Sequence, residues 1–110
     1  MNTINLYLDD ERTEPEGWVR VTTFTDAVRV MEDPGIIVDQ MSLDHDLGVC
    51  SECTGRECFH TGYKFALWCA EHGRWSLQKP TVHSMNPVGR RNILSVVDRY
   101  WEPPATSIPE

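Results

Sequence analysis

The sequence predicts a single α/β domain built on a mainly parallel four-stranded sheet. Short apolar and β-branched runs alternate with segments of helical period, the pattern of strand–helix–strand units. A length of 110 residues suits one domain. Three of the predicted strands run directly into polar residues. We expect the folded domain to cover residues 1–101, and the Pro-rich tail, residues 102–110, to lie loosely on the surface.

The first half of the chain is predicted to form two strands and a helix. Alternating apolar residues predict a strand over residues 4–8, and β-branched and aromatic residues predict a second over 18–22. A loop joins the two strands. Thr23 begins a capping box, so a helix should follow and end at Pro34. Residues 36–38 are expected to complete the packing of this helix on the sheet.

The second half is predicted to add two strands and two helices. Residues 41–47 predict a third strand, and the segment 48–61, dense in Cys, Gly and Thr, an ordered loop. A helix over 63–72 precedes a fourth strand over 81–84. Asn86 is a good N-cap for the last helix, whose apolar residues recur at helical spacing.

Composition excludes several classes of function. The chain carries 17 acidic against 10 basic side chains, a net charge of −7, which argues against nonspecific binding to duplex DNA. No apolar run is long enough to span a membrane. Acidic residues follow the first apolar run at once, unlike a signal peptide. We therefore expect a cytoplasmic protein whose four cysteines are metal ligands or free thiols.

Clustered acids at the strand ends predict a divalent-cation site. In open parallel sheets, ligands bind outside the carboxyl ends of the strands. Asp9, Asp10 and Asp44 supply carboxylate oxygens there, which suit Mg²⁺ or Mn²⁺. One isolated Asp at a strand end is usually a cap or turn residue, but three strands that end in polar groups together favour a binding site.

The start of the last helix predicts a phosphate site. A helix N-terminus offers unpaired N–H groups and partial positive charge. Ser84 and Asn86 precede the helix, Gly89 removes a side chain near the anion, and Arg90 can bind phosphate oxygens in bidentate fashion. The alternative is an ordinary capped helix with a solvated Arg90–Arg91 pair. The nearby carboxylates favour phosphate binding.

Two histidines at strand ends are candidates for proton transfer. His45 and His83 follow strands that can be neighbours, so one imidazole would activate water and the other protonate the leaving alkoxide. A single histidine at a strand end is more often structural.

The cysteine-rich loop predicts a structural zinc site. Cys50, Cys53, Cys58 and His60 supply three thiols and an imidazole within one short segment, which matches tetrahedral zinc ligation. The alternative is a chance cluster of reduced cysteines. Cys69, on a predicted helix, is assigned to the core.

Four segments together resemble a known family: LDDER at 8–12, SLDHDLG at 42–48, TGY at 61–63 and HSMNPVGRRN at 83–92. They resemble the cyclic-phosphate-processing receiver-like domain of bacteria and bacteriophages, a relative of response-regulator receivers. The resemblance implies a shortened receiver-like (flavodoxin-like) three-layer fold in which the zinc-binding loop, residues 48–61, is an insertion.

The resemblance also assigns roles to single residues. Asp9, Asp10 and Asp44 match the acidic positions of a receiver, and Ser84 matches its hydroxyl position. The polar motif that distinguishes the family is matched by His45, Asp46, His83, Asn86, Gly89 and Arg90.

One departure from signalling receivers bears on function. A receiver that accepts phosphate needs a Lys after a fifth strand, but the only lysines are Lys64 and Lys79, which fall at other places. Phosphorylation signalling is therefore disfavoured. We expect a metal-dependent phosphoesterase that opens a cyclic phosphodiester of a nucleotide or RNA end. The alternatives are a noncatalytic protein that sequesters a cyclic nucleotide and a degenerate receiver that mediates protein interaction.

Overall fold

The computed structural model describes residues 2–47 and 61–103. These residues form four strands and three helices, in the order β1 (Asn2–Leu8), β2 (Trp18–Val21), α1 (Phe24–Glu32), β3 (Ile36–Leu43), α2 (Gly62–His72), β4 (Thr81–Val82) and α3 (Pro87–Tyr100). None of the described helices is long and apolar enough to cross a membrane.

The sheet is parallel throughout, with strand order β2-β1-β3-β4. The α/β prediction with a four-stranded sheet is therefore confirmed. β1 and β2 are joined by a loop, as predicted, and α1 crosses over β1 to reach β3. Because parallel strands align their carboxyl ends, the segments after β1, β3 and β4 all leave the sheet at one edge.

A side chain caps the N-terminus of each described helix, at the predicted residue in α1 and α3 and at Thr61, which was not predicted, in α2. The hydroxyl of Thr23 accepts the N–H of Asp26 at α1, and that of Thr61 accepts the N–H of Lys64 at α2. α2 ends at Gly73, whose φ of 61° lies in the left-handed region that favours glycine.

The strand boundaries differ from the predictions at two places. Residues 36–38, assigned by sequence to helix packing, form the first half of β3, where they pair with the start of β1. β3 ends at Leu43, so residues 44–47 lie beyond it. β4 is limited to Thr81–Val82, and His83 and Ser84 follow it. Pattern alone did not join 36–38 to 41–43, because the polar Asp39 and Gln40 fall at a register shift beside β1.

One face of the sheet carries the apolar core. Leu6 and Leu8 of β1 and Met41 and Leu43 of β3 pack with residues of all three helices. α2 contacts both α1 and α3, so the three helices lie side by side. Right-handed crossovers that progress in one direction along the sheet place their helices on the same face.

The expected three-layer arrangement is corrected to two layers in the described part of the chain. A second helical layer would need a helix on the opposite face, but the β1–β2 connection is a loop. The opposite face instead carries Tyr7 and Ser42, which alternate with the core residues and lie outside the core cluster. Trp18 packs edge-on against the Tyr7 ring at a centroid distance of 6.2 Å.

Candidate functional site

Three predicted site residues meet at the carboxyl edge of the sheet. Asp9, Asp44 and His83 directly follow the ladders of β1, β3 and β4, and their N–H groups each donate to an adjacent strand's carbonyl, at 3.0, 2.9 and 3.0 Å. This continued pairing fixes their positions. One potential ligand atom from each residue lies within 4.8 Å of the other two. The group of Asp9, Asp44 and His83 is called the carboxyl-edge cluster below.

Asp9 is held by three hydrogen-bonding groups. Its Oδ1 accepts the backbone N–H groups of Glu11 at 2.8 Å and Arg12 at 3.0 Å, and its Oδ2 lies 2.9 Å from Nε2 of His83. Burial raises the pKa of the Asp9 carboxyl, but the two N–H groups and His83 more than offset it, so the pKa is lowered. Asp9 is therefore an ionised and immobilised carboxylate.

The pKa of Asp44 is shifted in the opposite direction, upward. Burial and the negative charge of Asp9 raise the pKa of the Asp44 carboxyl, although the N–H of His45 and the hydroxyl of Ser84 oppose the rise. Two carboxylates that repel each other favour a bound cation, because the cation removes the repulsion. The oxygen donors and the remaining repulsion between the two carboxylates fit Mg²⁺ or Mn²⁺, with Asp9 and Asp44 as ligands.

A polar cleft of about 310 Å³ opens at the cluster. It is lined by Asp9, Asp10, Glu11, Arg12, Asp44, Asp46, Leu47, Met85 and Asn86. Arg12 is the one basic residue among the described residues that line the cleft. Its Nη1 donates to the carbonyl oxygen of His83 at 2.6 Å. Sequence reasoning did not assign a role to Arg12. Its spacing of three from Asp9, which lets its own N–H bind that carboxylate, is the signal that marks it.

His83 lies behind Asp9 and does not line the cleft. Its Nδ1 is 2.7 Å from the hydroxyl of Ser42, and its ring stacks on Tyr7 with a centroid distance of 4.3 Å and an interplanar angle of 6°. Both nitrogens of the imidazole are therefore engaged. Sequence reasoning missed Ser42 and Tyr7, although they alternate with the core residues of their strands.

The first N–H groups of α3 are already hydrogen-bonded within the protein. The side-chain oxygen of Asn86 accepts from Val88 and Gly89, both at 3.1 Å, and the N–H of Asn86 donates to Ser84 at 3.1 Å. Arg90 donates to the carbonyl of Asn86. The cap predicted at Asn86 is confirmed, but the N–H groups expected to meet phosphate are already paired.

Two glycines allow close approach of neighbouring groups. A Cβ at Gly62 would overlap the backbone carbonyl oxygen of Asp44, and a Cβ at Gly89 would overlap the imidazole of His45. Gly89 therefore makes room for His45 on α3. This is a different use from the anion clearance that the sequence suggested.

The remaining predicted residues divide between two places. Asp10, Asp46 and Asn86 line the cleft, and Asp46 Oδ1 lies 3.0 Å from Nδ1 of His45. Arg90 instead lines a groove on α3 together with Arg91, away from the cleft lining.

The predicted zinc ligands Cys50, Cys53, Cys58 and His60 lie outside the described residues. Cys69, expected in the core, is buried on α2, and burial raises the pKa of its thiol. The zinc site stays a prediction.

Comparison with known families agrees with the resemblance. A family model described as the cyclic-phosphate processing receiver domain matches residues 4–99. No curated protein and no solved structure matches the chain significantly. The matched segment begins within β1, ends one residue before the end of α3, and includes every other described strand and helix and the complete carboxyl-edge cluster. The chain belongs to the cyclic-phosphate processing receiver domain family.

Proposed function

We propose that the polar cleft binds a divalent cation and opens a cyclic phosphodiester of a nucleotide or of an RNA end. The observation that carries this proposal is the carboxyl-edge cluster, in which two coupled carboxylates stand beside Arg12 at the mouth of a polar cleft. The family's association with cyclic-phosphate processing points to the same substrate chemistry.

Asp9 and Asp44 would hold the cation, and Asp10 would stand at the rim. A divalent ion there would act as a Lewis acid on a phosphoryl oxygen. Asp9 suits a fixed ligand because three hydrogen bonds already orient its carboxylate. Asp44 suits a ligand because burial and the nearby Asp9 charge together outweigh the groups that stabilise its carboxylate.

Arg12 is the residue that we assign to the substrate phosphate. One guanidinium nitrogen is anchored on the carbonyl of His83, and the guanidinium has further N–H donors for nonbridging oxygens. The Asn86 amide nitrogen adds a donor, since its oxygen is committed to α3. Arg90 remains the sequence-based candidate, against which Arg12 can be compared.

Hydrolysis would join a water oxygen to phosphorus, break one ester P–O bond and deliver a proton to the departing alkoxide. His45 is the better placed of the two predicted imidazoles for this transfer, because Asp46 links it to the cleft lining. His83 instead supports Asp9 from behind.

A second candidate function is stoichiometric capture of a cyclic nucleotide. Neither His45 nor His83 is among the residues that line the described cleft, which favours binding without turnover. The third possibility, a protein-interaction module, would use neither the cation nor the phosphate.

³¹P NMR distinguishes hydrolysis from capture. The protein is mixed with cyclic mononucleotides, cyclic dinucleotides or 2′,3′-cyclic nucleotides in the presence of Mg²⁺ or Mn²⁺, and the phosphorus signals are followed over time. Ring opening with turnover supports the esterase, whereas a shifted signal at a one-to-one ratio supports capture. No change with any of these compounds would contradict both.

Arg12→Ala should weaken phosphate binding by about 1.5–3 kcal/mol, the typical value of a charge-assisted contact. Arg91→Ala is the control. Equal losses in Arg12→Ala and Arg91→Ala would show that the phosphate does not occupy the cleft, and a larger loss in Arg90→Ala would restore the sequence-based assignment.

We also propose one structural Zn²⁺ on Cys50, Cys53, Cys58 and His60. Cys53→Ser should lower the zinc content measured by elemental analysis, because structural zinc needs all four ligands. Cys69→Ser removes a buried core thiol and should leave the zinc content unchanged. Wild-type protein purified without chelator that holds no zinc would rule the site out.

A further inference from the structure

The sheet face opposite the helices carries a series of three hydrogen-bonded polar side chains behind the cleft. It runs from the Ser42 hydroxyl through the imidazole of His83 to the Asp9 carboxylate, with contacts of 2.7 and 2.9 Å. Ser42 is 7% exposed and Asp9 is 1% exposed. All three side chains extend from the carboxyl-terminal halves or ends of adjacent parallel strands.

Ser42, His83 and Asp9 have the composition of a catalytic triad but not its arrangement. A nucleophilic serine must face the substrate. Ser42 lies within β3, is buried, and is absent from the residues that line the cleft. The group that reaches the cleft is Asp9, at the opposite end of the series. Ser42 is therefore placed to act through His83 on Asp9.

The contact with Asp9 determines where His83 carries a proton. Two acceptors cannot face each other at 2.9 Å, so Nε2 must bear hydrogen and donate to the carboxylate. In the neutral imidazole, Nδ1 is then an acceptor, and the Ser42 hydroxyl can donate to it. The Tyr7 ring is stacked on the imidazole at a centroid distance of 4.3 Å and restricts rotation of the His83 ring out of this plane.

We propose that Ser42 is a positioning residue that holds the His83 imidazole through Nδ1 and thereby orients Asp9 for the divalent cation. Hydrogen-bonded partners behind a metal ligand commonly fix its orientation and affinity. This inference rests on the proposed cation site for its effect on affinity, but its effect on the hydrogen bonding of His83 Nδ1 is independent of that site.

The test combines metal binding with ¹⁵N NMR of the histidine rings. Ser42→Ala should lower Mn²⁺ affinity about tenfold, the lower end of the range for outer partners of a metal ligand. It should also move the His83 Nδ1 signal, because this acceptor loses its hydrogen-bond donor. Ser42→Thr keeps the hydroxyl and should restore both properties. Should Ser42→Ala not fold, Ser42→Cys has similar volume but a weak donor, and should give the same direction of change.

Ser76→Ala is the matched control. It deletes another buried serine hydroxyl, which donates to the carbonyl of Gln78 at 2.6 Å outside the carboxyl-edge cluster. It should lower stability without moving the His83 signals. A Ser42→Ala protein with wild-type His83 signals would overturn the proposal. Wild-type protein that binds no Mn²⁺ would instead overturn the cation site, while the NMR result would still decide the role of Ser42.

Discussion

The two faces of the sheet use alternate residues of the same strands for different purposes. On the helix-covered face, Leu8 and Leu43 are fully buried in the apolar core. On the face opposite the helices, Tyr7 and Ser42 are nearly as buried, but they contact His83. Since successive strand residues point to opposite faces, a shift of one position changes a residue from core packing to support of the site. Burial alone therefore does not separate structural from functional residues in this chain.

Leu43→Ala should give the largest loss of stability. Leu43 is fully buried among residues of the sheet and helices, so truncation should lower the free energy of unfolding by about 2–5 kcal/mol through lost burial and a cavity. Urea denaturation measures this loss. The affinity of the folded fraction for Mn²⁺ should remain close to wild type. A small stability loss accompanied by a large affinity loss would break the division between the two faces.

Alanine at two glycines compares the cost of placing a methyl group against backbone, at Gly62, with the cost of placing it against a side chain, at Gly89. In Gly62→Ala the new methyl group meets the rigid carbonyl of Asp44, and such overpacking costs about 1–3 kcal/mol. In Gly89→Ala it meets the ring and the Cβ of His45, a side chain that can shift more readily than a backbone carbonyl, while alanine improves helix propensity.

Thermal unfolding should therefore show a clear loss for Gly62→Ala and a smaller one for Gly89→Ala. The His45 ring signals should move in Gly89→Ala. If Gly89→Ala were the less stable of the two variants, the packing of His45 on α3 would be tighter than described.

Asp44→Asn should have the smallest effect and the opposite sign. The Asp44 pKa is raised in the folded state, so its ionisation destabilises the fold as pH rises from the unfolded value, about 3.9, through the raised value. The metal-free variant should therefore be more stable than wild type at pH 7. This advantage should disappear below about pH 4, where the carboxyl is protonated in both states.

Saturating Mn²⁺ should reverse the order of stability. A ligand at one hundred times its Kd stabilises a protein by about 2.7 kcal/mol, and only wild type should gain this. Melting temperatures over a pH series, with and without Mn²⁺, measure both effects. A variant that is less stable than wild type at pH 7 without metal would mean that Asp44 is not repelled by Asp9.

The sequence predicted the features that depend on local pattern. Alternation located β1, and β-branched and aromatic residues located β2. The capping residues Thr23 and Asn86 located the starts of α1 and α3, and the polar strand ends located the cluster. Parallel strands then bring their ends together, so the pattern of strand ends was enough to group Asp9, Asp44 and His83.

The features that depend on three-dimensional geometry could not be predicted. The sequence favoured Arg90 at the start of the last helix, and only the fold shows that Arg12 lines the cleft while Arg90 lies with Arg91 on α3. Similarly, helix capping chemistry does not reveal whether N–H groups remain free, and here Asn86 occupies them.

The most direct test of the central claim is an electron paramagnetic resonance titration with Mn²⁺. Zn²⁺ has a filled d shell and gives no signal, so metal in the cysteine-rich loop does not interfere. Wild-type protein should bind one Mn²⁺ per chain. The control variant Asp98→Asn should do the same, because Asp98 is an exposed carboxylate on α3 that pairs with Lys79. Asp44→Asn should bind far more weakly. Wild-type protein that binds no Mn²⁺, or Asp44→Asn that binds it as tightly as wild type, would contradict the account.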